Sequence, residues 1–136
     1  MPRLKKSFRN KFVAEQIKKI CVNWLNIEHT ENLFAVDGKK PPQEIYLALV
    51  DEMIKNDDIG GAISAAQKAG KRGSLKLIHH GYTLWITDKK IMNAVRLFEA
   101  AGHVDGLIYC AHQLMEANFL KLGTEILQKA AKVKIK

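Results

Sequence analysis

The sequence predicts an all-α protein: an N-terminal amphipathic helix followed by about three antiparallel helix pairs stacked as a short solenoid. Three observations predict it. The first is an internal repeat. The stretch Ile59–Gly70 recurs as Ile91–Gly102, an offset of 32 residues, with Ile59/Ile91, Ala62/Ala94, Ala69/Ala101 and Gly70/Gly102 coinciding. A period of that size is one helical hairpin with its turns, and such units bury their apolar faces by stacking. The second is apolar periodicity at three- and four-residue steps. The third is a series of capping residues spaced at helix lengths.

The first element is a helix over residues 3–26. Leu4, Phe8, Phe12, Val13, Ile17, Ile20, Cys21, Trp24 and Leu25 form its stripe, with basic residues between them. Residues 1–26 are thus a basic amphipathic unit. It either docks on the repeat body or on a partner or membrane surface. Residues 27–42 read as a linker, because His29-Thr30-Glu31-Asn32 and Asp37-Gly38-Lys39-Lys40-Pro41-Pro42 are turn chemistry. Leu33–Val36 between them packs down, at most as one helical turn.

Residues 43–132 form the repeat domain. Its first helix spans about 43–55, with Ile45, Leu47, Leu49, Val50, Met53 and Ile54 apolar. Asp57 or Asp58 caps a second helix that stops at Gly70, a natural left-handed terminator. Lys71-Arg72-Gly73 reads as a turn, with Ser74 capping a third helix over about 75–86. Thr87 is placed to cap a fourth, closed by Gly102, and Asp105 a fifth. A sixth spans about 119–132. Small Ala62, Ala65, Ala66 and Ala69 let helices approach closely, and the larger Leu97 and Phe98 fill the space opposite. Residues 133–136 are a basic tail.

Composition narrows the class. The 136 residues are 47% hydrophobic and 26% charged, ordinary for a globular domain. No apolar run reaches the roughly 18 residues of a membrane span, so no stable membrane insertion is expected. The net charge of +8 sits at the ends: residues 41–131 hold ten basic and ten acidic groups, and residues 1–40 hold nine against four. Basic ends on a neutral body have three readings: solvated tails, a grip on RNA phosphates, or, for Met1–Ala14, a mitochondrial targeting segment. Cys21 and Cys110 cannot make a disulfide framework, which suits a reducing intracellular compartment, cytoplasm or mitochondrial matrix.

No motif for catalysis stands out. His79 and His80 are adjacent and point about 100° apart on a helix, and Cys110 and His112 are split the same way. No zinc-type spacing is present. Gly60-Gly61 lacks the pattern of a phosphate loop. The sequence therefore assigns no catalytic residue, no metal ligand and no cofactor.

Residues Pro41–Gly70 resemble one pentatricopeptide repeat, with Tyr46, Leu49, Val50, Lys55 and Ala62 at the family's characteristic positions. Residues 75–102 resemble it more loosely. Tetratricopeptide repeats are similar in their second helix, at Ala62 and Ala69. The resemblance implies helical hairpins and a binding role. RNA-reading members carry a polar residue two places after the Tyr, where this chain has Ala48, which has no group for a base edge.

The function expected is a non-catalytic scaffold or adaptor that holds another protein within a larger assembly. Tyr82 and Trp85, three residues apart on one helix face, form the candidate partner site with Lys89 and Lys90. The alternative is a pentatricopeptide-like, RNA-associated protein of a ribonucleoprotein, a mitochondrial one among the candidates. Its phosphate contacts would be Arg3, Lys5, Lys6, Arg9 and Lys11 at the N-terminus and Lys71, Arg72 and Lys76 around one turn.

Overall fold

The computed structural model describes residues 15, 16, 18, 19, 22, 23, 25–36 and 38–133. Among them run seven helices: α1 (Ile27–Ala35), α2 (Gln43–Lys55), α3 (Ile59–Lys68), α4 (Lys71–Ile86), α5 (Ile91–Ala101), α6 (Val104–Glu116) and α7 (Leu120–Lys132). The described residues contain no strand. Three hairpins, α2–α3, α4–α5 and α6–α7, stack in order. The first helices α2, α4 and α6 pack on one another, and so do the second helices α3, α5 and α7. This is the arrangement of a short helical solenoid.

The sequence repeat reappears in the backbone. Each hairpin turn places one non-glycine residue at positive φ: Asp57 at 60°, Lys89 at 56° and Asn118 at 70°. In each turn the next residue donates its N–H back to the preceding helix, Asp58 to Met53, Lys90 to Leu84 and Phe119 to Leu114, all at 2.8 Å. The turns between hairpins use Gly70 (φ 70°) and Gly102 (φ 68°). Glycine adopts that region without the side-chain clash other residues suffer. The last hairpin arrives three residues early because α6 has 13 residues where α4 has 16.

The core fills the interior of the stack. Leu49, Val50, Ala62, Ala65, Ala94, Leu97, Phe98, Leu107, Cys110 and Ala111 are wholly buried. The repeat partners Ala62 and Ala94 occupy equivalent places there. Close approach needs glycine at two matching positions. A Cβ on Gly73 would lie 1.9 Å from the Ala66 carbonyl oxygen, and one on Gly106 would lie 2.7 Å from the Phe98 ring. Each glycine is the third residue of its helix, but Gly73 meets the backbone of Ala66 and Gly106 the side chain of Phe98.

Several expected boundaries are corrected. The supposed linker contains α1. Asn26 caps it by accepting the His29 N–H at 2.9 Å, and Thr30, fully buried, donates its hydroxyl to the Asn26 carbonyl at 2.8 Å. The polar residues that suggested a turn are therefore a helix start. Helix α4 begins at Lys71 rather than after Ser74, because Gly70 reverses the chain within one residue. Thr87 ends α4 and does not cap α5, and Asp105 lies in the first turn of α6, whose N-cap is His103. Asp58 does cap α3, accepting the Gly61 N–H at 3.0 Å. Gly102 closes α5 in the left-handed conformation.

Residues 15, 16, 18, 19, 22 and 23 are helical. The expected helix does not reach residue 26: Leu25 sits at positive φ (49°) and Asn26 is extended, as the N-cap of α1. The other residues of the expected 3–26 helix, and tail residues 134–136, lie outside the described residues.

Candidate protein-binding face

Helix α4 carries apolar side chains on two sides. Gly73, Leu77, Gly81 and Leu84 point into the core. Leu75, His79, Tyr82 and Ile86, also at three- and four-residue steps, form a second stripe. Leu75 and Ile86 are each 65% exposed. A helix facing one core needs one stripe; the second one faces outward.

Tyr82, on the edge of the second stripe nearest the core, and Trp85 beside it are half-buried. The Tyr82 ring packs edge-on against Phe98 with centroids 4.9 Å apart. Its hydroxyl is 2.8 Å from His103 Nε2. Burial, then the nearby Asp105 charge, pushes that hydroxyl above its ordinary pKa. Trp85 stacks on Tyr109 of α6, centroids 5.7 Å apart, and its indole N–H donates to Gln113 Oε1 at 2.7 Å. Tyr109 is 56% exposed. The two aromatics chosen from sequence are thus brought together with a third, Tyr109, and they bridge the second and third hairpins. Tyr109, Leu75 and Ile86 escaped the sequence reading. Their signal was apolar character at positions outside the core stripe.

The lysines expected beside the aromatics are placed differently. Lys89 is exposed in the α4–α5 turn. The Lys90 ammonium is held by Asp57 of the first hairpin at 2.9 Å.

The internal basic cluster is largely neutralised. Arg72 pairs with Glu44 at 3.3 Å, and Lys76 pairs with Asp51 at 2.6 Å. The other oxygen of Asp51 meets His80 Nε2 at 2.7 Å. Burial pushes the Asp51 carboxyl up, but the hydrogen bonds from Lys76 and His80 outweigh it and hold the pKa low. Lys71 is exposed and makes no ion pair among the described residues. Arg3, Lys5, Lys6, Arg9 and Lys11 lie outside the described residues.

Among the described residues no group of three or more His, Cys, Asp or Glu side chains is placed to hold a metal ion. None of the described helices is long and apolar enough to cross a membrane. No known protein family, curated protein or solved structure gives a significant match to this chain.

Proposed function

We propose that this protein is a non-catalytic helical-repeat scaffold or adaptor that holds another polypeptide within a larger assembly. One observation carries the reading: Leu75 and Ile86 stand exposed on the outer side of α4, and the exposed Tyr109 ring of α6 stacks on Trp85. Exposed apolar and aromatic side chains gathered on one side of a fold mark interaction sites. Tyr and Trp are the residues most often found to dominate interface energies. The likeness of residues 41–70 to pentatricopeptide and tetratricopeptide repeats supports the same reading. The buried free thiol of Cys110 suits a reducing compartment.

The test is capture of partners by the tagged full chain from its native cells, with and without ribonuclease, alongside a Leu75→Asp/Ile86→Asp variant. Partners that survive ribonuclease and disappear with the variant are the expected result. Partners lost to ribonuclease, with RNA recovered from the untreated sample, would put the ribonucleoprotein reading in its place.

A further inference from the structure

A cleft of about 530 Å³ opens where α3 hands over to α4, beside the end of α5. Leu75, Leu77, Ala100 and Ala101 give it an apolar wall, and Gln67, Ser74 and Lys71 a polar one. Small-molecule sites have this size and make-up: mostly apolar, with a few polar groups that fix orientation. Lys71 is the only charged residue among those lining it, and it makes no ion pair among the described residues. The start of α4 adds to its charge. The N-cap, Gly70, offers no side-chain hydrogen bond, and the first turn holds no acidic residue. The positive end of this 16-residue helix is therefore not offset within its own first turn.

The same place is closed one hairpin further on. Counted from the helix starts, Gln67 corresponds to Glu99, Lys71 to Val104, Ser74 to Leu107 and Ala100 to Lys129. There Lys129 reaches Glu99 at 3.3 Å, and Leu107 is wholly buried. Ser74 and Ala100 are too short to do either. Leu75, the counterpart of half-buried Ile108, is left 65% exposed. The cleft thus follows from particular small and polar residues, not from hairpin stacking itself.

We propose that this cleft binds a medium-chain fatty acid, with its carboxylate on Lys71 at the start of α4 and its hydrocarbon chain along Leu75, Leu77, Ala100 and Ala101. The two parts of such a ligand match the two kinds of wall. An anion is favoured beside a lysine and at a helix N-terminus. Each methylene taken out of water tightens binding about fourfold. With no carboxylate on its wall, the cleft has nothing to hold a cation. The site goes beyond the scaffold role and does not depend on it, because it needs no protein partner.

The probe is a dansyl-labelled undecanoic acid, displaced from the purified full chain by hexanoate, octanoate and decanoate below their micellar concentrations. Displacement should strengthen about fourfold per added methylene. Lys71→Glu should weaken decanoate about 10-fold, the worth of a hydrogen bond to a charged group, and leave decanol unchanged. Two variants close the cleft with the residues of the next hairpin: Ser74→Leu, and Gln67→Glu/Ala100→Lys. Both should abolish probe binding, with circular dichroism and the melting midpoint confirming the fold. Ile86→Asp, which does not line the cleft, should leave binding intact. No displacement by millimolar decanoate, affinity independent of chain length, or probe binding that survives both closing variants would overturn the proposal. Loss of binding in Ile86→Asp would overturn it too, by moving the probe to the outer side of α4. If the proposal falls while ribonuclease-resistant capture still depends on Leu75 and Ile86, the scaffold reading stands.

Discussion

The ring of Phe98 is pressed against the backbone of Gly106, so close that a Cβ there would sit 2.7 Å from the ring. Gly81 flanks the same ring, its own Cβ position 2.6 Å away. Phe98 on α5 is therefore clamped between α4 and α6, which joins the second hairpin to the third. Gly81→Ala and Gly106→Ala should each destabilise the protein by about 1–3 kcal/mol, the usual cost of overpacking. Gly60→Ala is the contrast: its Cβ would meet only the Arg96 guanidinium, at 3.8 Å. It should stabilise by up to about 1 kcal/mol through helix propensity. Urea midpoints measure all three, and a destabilised Gly60→Ala would contradict the packing described.

Asp51 ties the first hairpin to the second by accepting from both Lys76 and His80. All three side chains keep some solvent contact, so the network should contribute on the order of 1 kcal/mol, within the range of exposed pairs. Its pH dependence has a definite sign. The native carboxyl is held below the unfolded value of about 3.9, so the contribution is present above about pH 4 and is lost as pH falls further. The melting-point gap between wild type and Asp51→Asn should therefore narrow below pH 4. A gap unchanged down to about pH 3 would remove the network from the account.

At the opposite end of the pH scale, Tyr46 is one contributor. Burial first, then its hydrogen bond to Glu31, pushes its hydroxyl up to about 12. A raised pKa contributes stability below the unfolded value of about 10 and loses it as pH climbs toward the native value. Wild type should lose about 2 kcal/mol over that interval, and Tyr46→Phe should lose less. Chemical denaturation at pH 9, 10 and 11 would show it.

Cys110 is fully buried, and desolvation pushes its thiol up to about 11. Thiolate is the reactive form, so native Cys110 should be inert. In a Cys21→Ser background, labelling by a disulfide reagent should follow the unfolding transition. Stoichiometric labelling without denaturant would mean that α6 is not packed as described.

How much of this was legible in the sequence depends on the residue. Gly102 was readable, and Asp58 as one of two candidates, because capping is local chemistry. Ser74, Thr87 and Asp105 carried the same kind of signal. Yet the N-caps are Gly70, Lys90 and His103, because the turn geometry decides which candidate is used. The limits of α2 followed from Pro42 and an unbroken apolar pattern. Helix α1 was missed because Asn26 and Thr30 use polar side chains inside a helix start, and only burial distinguishes that from a turn. The early start of α4 was hidden in the same way by Gly70. Tyr82 and Trp85 were visible as an aromatic pair. Their partner Tyr109 lies on another helix, and the Asp57 that holds Lys90 is 33 residues upstream of it, so neither relationship leaves a local mark.

Neighbour-only packing has a kinetic consequence. Each helix packs mainly on helices one or two places away along the chain, so most contacts close short loops and folding should be fast for a protein of this length. Amide hydrogens of α4 and α5, packed by helices on both sides, should exchange only through global unfolding.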